Sequence, residues 1–246
     1  MIGSGKIEIS TEEAIAVIKK SSLPTVVIEG ADDAIVYRKI EDIGDGFVSL
    51  LPVGGRENVL AIFNRKAEFS NKKVVFIADQ DTWIVNGIPS CYKSKDLVFT
   101  SGYSVENDIF LDVNVVGLMS SSEKTQFEEE LSKFSVWFAI ALNRFLDGVN
   151  SEIKIHPNNL LDNEENYNNF IKLNSGECFP ENLHKDLLEN YSVKIRGKSL
   201  MAIAIRKLSY KGRPVRHHHH SIMEHASSRP GDLINRIYKN VEIAIL

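Results

Sequence analysis

The sequence predicts an α/β fold: a mainly parallel sheet flanked by helices, followed by a mostly helical C-terminal domain. Three observations carry this. Between residues 22 and 115, short apolar runs alternate with amphipathic stretches in the order strand, helix, strand, helix, strand, strand. One of these runs, "KVVFIAD" (73–79), is almost unbroken in apolar residues, as a parallel strand covered on both faces requires. Further on, the apolar residues recur at spacings of three and four, the period of a helix.

Each element has a local cause. "STEEAIAVIKK" opens with Ser10 or Thr11 as a cap, places Glu12 and Glu13 in the first turn, and ends on Lys19 and Lys20, all favourable to a helix dipole. "TVVIE" (25–29) reads as a strand. "DDAIVYRKIEDIG" (32–44) reads as a helix with Ala34, Ile35, Tyr37, Ile40 and Ile43 on one side and Gly44 as its stop. "FVSLLPV" (47–53) is a second strand ended by Gly54 and Gly55, and residues 56–69 form the next helix. "DLVFTSG" (96–102) is a short strand, and "SVENDIFLD" (104–112) a turn into a short helix. Residues 122–149 read as one long amphipathic helix, with Phe127, Leu131, Phe134, Phe138, Leu142 and Phe145 at helical spacing. Residues 156–182 are asparagine-rich and read as loop with short helical pieces. Residues 198–212 are helical, and 213–240 loop then helix. The expected domains are 1–118 and 119–246.

Composition narrows the function classes. The chain is 43% hydrophobic with a net charge of −4, so attraction for nucleic acid has to be local rather than global. Two cysteines, Cys91 and Cys178, make no disulfide framework and lack metal-ligand spacing, so free thiols in a cytoplasmic protein are expected. "MIGSGKIEIS" has no apolar segment of a leader and no run approaches the length of a membrane span, so no membrane partner is expected.

The chemistry-bearing pattern is acidic. Glu29 ends the first strand, with Asp32 and Asp33 at the next helix start. Asp79 and Asp81 end the strongest strand, and Glu106 follows the last one. In an open parallel sheet, strand C-terminal ends line one crevice, so these residues converge in the expected fold. Several carboxylates in one cleft raise each other's pKa unless a positive charge lies between them. Mg²⁺ or Mn²⁺, with its preference for oxygen ligands, meets that need, and two such ions clamp a phosphodiester. In the D-x-D of Asp79 and Asp81, residues i and i+2 of an extended stretch point to one side.

Residues 191–216 hold eight Lys or Arg and no acid. Lys194, Arg196, Arg206, Lys207, Lys211 and Arg213 are the candidate phosphate contacts, with Tyr191 and Tyr210 for base stacking. A basic helix facing solvent, or facing the acidic helix around Glu128–Glu130, is the competing reading. The run His217–His220 is discounted as a metal site, because phosphodiester chemistry on Mg²⁺ or Mn²⁺ needs oxygen ligands. Trp83 reads as packing. Cys91 has no histidine near it in sequence to activate it.

The ordered combination "VIEGADD", "LPVGGREN" and "FIADQDTW" resembles the Toprim superfamily over residues 22–115. The resemblance implies a Rossmann-like catalytic domain in which Glu29 is the general acid or base and Asp79 and Asp81 bind metal, with Gly30, Gly54 and Gly55 shaping the turns. The OLD-like nuclease branch implies Asp33 as a second acid, Ser104 and Glu106 as a Ser-x-Glu, and Lys198 as a catalytic lysine. "EGADDAIVYRKI", "DQDTW" and "VENDIFL" together resemble the small Toprim nuclease subunits of PARIS-type phage-defence systems. That group implies a toxin-like nuclease released from an ABC-type ATPase partner to cut host tRNA. The chain has no G-x-x-x-x-G-K-[ST], so a partner would have to supply the ATPase that the resemblance implies. Alternatives are an OLD-type DNA nuclease and a non-catalytic, metal-stabilised docking subunit. Phe134, Trp137, Phe138 and Ile140 cover more than one helical stripe, which favours a homodimer.

Overall fold

Four parallel strands organise the first part of the chain. A computed structural model describes residues 9–42 and 48–245. The strands are β1 (Thr25–Ile28), β2 (Ser49–Pro52), β3 (Val74–Ala78) and β4 (Leu97–Phe99), in the spatial order β2-β1-β3-β4. Thr25 pairs in register with Ser49 on one side and Val74 on the other, and Phe76 pairs with Leu97. β1 and β3 are the central strands and are buried almost throughout, which is why both read as continuous apolar runs.

The chain divides into two units: Met1–Ser101 with Met223–Leu246, and Gly102–Ile222. In the first, the sheet is covered on both faces. Helices α1 (Thr11–Lys20) and α3 (Arg56–Asn64) bury Ala14, Ile15, Ile18, Val59, Ile62 and Phe63 in one core with Val27 and Phe76 of the central strands. Alternation puts Val26, Ile28, Val75 and Ile77 on the other face. α2 (Asp33–Tyr37), the 3₁₀ segment Arg38–Asp42 and the C-terminal helix belong with that face. Ser10 is the cap of α1, with a reciprocal box to Glu13. The helix expected over 32–44 is shorter, and no side-chain bond from Asp32 caps its start. Ile43, Gly44 and Phe47, to which roles were assigned, lie outside the described residues. A short helix, α4 (Trp83–Asn86), follows β3 where none was expected.

The second unit is helical: α5 (Val105–Asp112), α6 (Ser121–Leu146), α7 (Pro157–Leu161), α8 (Glu164–Phe170), α9 (Glu181–Glu189), α10 (Tyr191–Lys194) and α11 (Gly197–Leu208). α6 opens on a Ser120–Glu123 capping box and packs against α9 and α11. Phe134, Trp137, Phe138 and Ile140 are each 2% exposed or less, so this wide apolar band is core of the unit. It supplies no dimer surface, which removes the ground for expecting a homodimer.

The unit boundaries differ from the expected domains at both ends. Residues 102–118 belong with the helices rather than the sheet. After α12 (His219–Ser228), α13 (Asp232–Ile245) returns to the sheet unit. It buries Ile234, Ile237 and Val241 and packs on β3 and β4, and the Tyr238 hydroxyl donates to the Val36 carbonyl at 2.6 Å. Among the described residues no helix is long and apolar enough to cross a membrane.

Candidate functional site

After β1 the chain crosses to β2 on one side, then returns past β1 to β3 on the other. The gap beyond the C-terminal ends of β1 and β3 is therefore the switch point of the sheet, where crossovers diverge and leave a crevice. Glu29 is the first residue after β1 and Asp79 the first after β3, so register alone puts them on neighbouring strand ends. The Asp79 N–H donates to Glu29 Oε1 at 2.7 Å, joining residues 50 apart in sequence.

The turn after β2 completes this edge. The N–H groups of Gly54 and Gly55 both donate to the Glu29 carbonyl at 2.8 Å. Their φ values of 91° and 125° are costly for any residue with a Cβ. On the other side of Glu29, the Gly30 N–H donates to Asp33 Oδ2 at 2.8 Å, so Asp33 folds back over the turn that separates them. Burial pushes the Glu29 carboxyl up to about 8, and the charges of Asp81 and Asp33 add to the rise. The Asp79 N–H and Arg56 pull the other way without reversing it. Glu29 and its two acidic neighbours are thus close enough to feel one another.

The D-x-D loop is held from several directions. Asp81 has a left-handed backbone at φ 48°, uncommon for a residue with a side chain. Between the aspartates, Gln80 is pinned to the end of β4: its Nε2 donates to the carbonyls of Thr100 at 2.7 Å and Ser101 at 3.1 Å. Arg56, which sequence reasoning took only as a helix start, donates from Nη1 to the Gln80 carbonyl at 2.7 Å. Its Nε lies 3.4 Å from Asp81 Oδ2, an ion pair by distance whose Nε is nevertheless buried without a hydrogen bond. The guanidinium stands 4.5 Å above the Trp83 ring, which itself stacks on Tyr92 at 5.2 Å. Trp83 is packing, as expected, and also a platform. The available signal for Arg56 was its place directly after the Gly54-Gly55 turn, at the same sheet edge as Glu29.

Ser104, Glu106 and Lys198 belong to the second unit. Ser104 starts α5, and its hydroxyl donates to Glu106 Oε2 at 2.5 Å. Asn107 anchors the group by donating to the Ser192 and Ile195 carbonyls, both at 2.9 Å. A Cβ on Gly197 would stand 2.3 Å from Ser104 Oγ and 2.5 Å from Asn107 Oδ1, so the start of α11 lies directly on this cluster. Lys198 is the next residue and is exposed. The backbone thus brings Lys198 beside the Ser-x-Glu.

Most of the basic stretch does not face solvent as a phosphate track. Arg206 and Lys207 both pair with Glu130 at 2.8 Å, and Arg206 reaches Asp162 at 2.7 Å. Arg213 pairs with Glu123 at 2.9 Å and Lys194 with Asp186 at 2.6 Å. The competing reading, a basic helix neutralised by the acidic stretch Glu128–Glu130, accounts for Arg206 and Lys207, while Lys194 and Arg213 are neutralised by other acids. Tyr191 packs edge-on to Phe110 and Phe127, which removes it as a base-stacking platform. No ion pair among the described residues engages Arg196 or Lys211, and Tyr210 is 50% exposed.

The carboxylates at the sheet edge fit a hard divalent cation in donor chemistry: all are oxygen ligands, and their repulsion is visible at Glu29. Among the described residues no three His, Cys, Asp or Glu side chains are grouped tightly enough to form a complete ligand set. Mg²⁺ does not require one, since it keeps several waters and takes one or two carboxylates plus substrate phosphate. No family model matches the chain, and no curated protein matches it at a significant level.

Proposed function

We propose that this chain is a metal-dependent endonuclease of Toprim type that cleaves RNA. The observation that carries the reading is the meeting of Glu29 and Asp79 at the switch point of a parallel sheet, with Asp33 and Asp81 close enough to raise the Glu29 carboxyl. Acids so placed destabilise the fold, and a cation-dependent reaction gives them a purpose. Asp79 and Asp81, with Asp33, would hold Mg²⁺ or Mn²⁺, which would supply positive charge where a breaking phosphodiester develops negative charge. Glu29, whose carboxyl burial raises in the metal-free chain, is placed at this edge to act as general acid or base. Gly54 and Gly55 fix the Glu29 backbone, and Gln80 and Arg56 fix the D-x-D turn. The catalytic roles of Lys198 and of the Ser104–Glu106 pair rest on the sequence resemblance. The host tRNA substrate, the role in phage defence and the ABC-type ATPase partner rest on the sequence resemblance.

A second reading is a non-catalytic docking subunit, in which the same sheet-edge acids hold a cation without cleaving substrate. The deciding measurement incubates purified chain with tRNA and with plasmid DNA, in Mg²⁺ or Mn²⁺, beside Glu29→Gln. Cleavage of tRNA, reduced roughly 10²–10⁴-fold in the variant, is the expected result for loss of a general acid or base. Cleavage of DNA alone makes the chain a DNA nuclease. No metal-dependent cleavage of either supports the docking subunit.

A further inference from the structure

We infer that Arg56 is the fixed positive charge of this centre, and that the centre holds one divalent cation rather than two. The inference rests on reading the sheet-edge acids as a cation site, and it departs from the two ions expected from the sequence. Its basis is how the guanidinium is held. Nη1 donates to the Gln80 carbonyl at 2.7 Å, the Trp83 ring lies 4.5 Å beneath, and the Asp81 carboxylate is 3.4 Å from Nε. The side chain is only 14% exposed. Trp83 is braced in turn by Tyr92 at 5.2 Å and Phe99 at 5.9 Å. Two of the three anchors, a backbone carbonyl and a ring, involve no acid. A cation arriving at the carboxylates therefore does not release the guanidinium.

Two consequences follow from Coulomb's law. Asp81 is the outer acid of the D-x-D, and a second ion would have to share it with a guanidinium already beside it. A charge of +1 fixed next to the site for a +2 ion opposes that ion, and low exposure weakens the screening that would otherwise hide the opposition. The same guanidinium does part of what a second ion does. It presents positive charge at the catalytic edge, and its Nε, buried and without a hydrogen bond, stays 3.4 Å from the Asp81 carboxylate. Asp33, meanwhile, has its Oδ2 on the Gly30 N–H at 2.8 Å, so this acid too is tied to its own loop.

The test counts Mn²⁺ ions by the electron paramagnetic resonance signal of free Mn²⁺ during titration, and it needs no catalytic readout. Wild-type protein is compared with Arg56→Gln, Arg56→Lys and Trp83→Leu, each checked by thermal melting. The expectation is one bound Mn²⁺ in wild type and in Arg56→Lys, and a second in Arg56→Gln as its affinity rises about tenfold or more. Trp83→Leu, which removes the platform, is expected to tighten the second ion less than Arg56→Gln does. Two equally tight ions in wild type, or an unchanged count of one in Arg56→Gln, overturns the inference. Should Arg56→Gln fail to fold, the wild-type count and Trp83→Leu still decide it. Zero bound Mn²⁺ sinks the cation centre and the inference with it. One bound Mn²⁺ without cleavage of any nucleic acid keeps the inference and sinks the nuclease.

Discussion

Carboxylates in the two units meet opposite electrostatic fates. At the sheet edge, Glu29 is pushed up to about 8 by burial and by the negative charges of Asp81 and Asp33. In the helical unit, Glu123 is held down to about 2 by its bond from Arg213, helped by the Ser120 N–H. Glu130 is likewise lowered by Arg206 and Lys207, and Glu177 by Arg144. One set of acids sits among acids at a cost to stability; the other is matched with arginine and lysine and holds helices together. The contrast is the one that the proposed function requires, because an arrangement selected only for stability gains nothing from Glu29 as it is.

The sharpest way to break the contrast is pH. Glu29 keeps its proton when folded up to about 8 but loses it near its ordinary 4.5 when unfolded. Its contribution to stability is therefore fully present below about 4.5 and is lost as pH rises through about 8. Linkage puts the change on the order of 5 kcal/mol across that window. Glu123 runs the other way. Its contribution is present above 4.5 and is lost as pH falls through about 2. Melting temperatures of EDTA-treated protein from pH 2 to 9 check both signs. Glu29→Gln is expected to flatten the alkaline fall and Glu123→Gln the acid one. An alkaline fall that survives in Glu29→Gln would mean that some other group carries it.

A smaller effect is expected from removing one partner of the scaffold pair. Arg213 and Glu123 side chains are each 11% exposed, so Arg213→Ala leaves a buried carboxylate unpaired at a cost of about 3 kcal/mol. Replacing both partners with apolar residues is expected to cost less than that single change. Urea unfolding of the two single variants and the double variant decides it, and simple additivity would argue against a coupled pair.

What could be read from the sequence divides along the same line. The placement of Glu29 and Asp79 at strand ends was legible because each directly follows an apolar run, and a strand end is a local signal. The parallel sheet was legible for the same reason. The fates of Arg206, Lys207 and Arg213 were not, since their partners Glu130 and Glu123 lie 76 to 90 residues away and charge runs carry no address. α13 was seen as a helix, but an amphipathic face does not say which core it enters. Arg56 was hidden in a good helix start. Its role depends on Gln80 and Trp83, which come near it only once β3 has paired with β1.

The smallest effect tests the cluster that falls between these two kinds. Ser104, Glu106 and Asn107 are buried and hydrogen-bonded to one another, like scaffold, yet Lys198 beside them is exposed and makes no ion pair among the described residues, like a site. Gly197 is where the two meet. In Gly197→Ala the new Cβ would stand 2.3 Å from Ser104 Oγ and 2.5 Å from Asn107 Oδ1, too close for either to stay. Overpacking of this kind costs roughly 1–3 kcal/mol. If Ser104 is the atom that yields, Gly197→Ala and Ser104→Ala together cost less than the sum of the two, because the second change removes the obstacle to the first. If Asn107 yields instead, its bonds to the Ser192 and Ile195 carbonyls break, and Ser104→Ala gives no relief. A double-mutant cycle in urea distinguishes the two. Relief by Ser104→Ala identifies a cluster that can reshape around Lys198, whereas its absence identifies one locked by Asn107 into the helical scaffold.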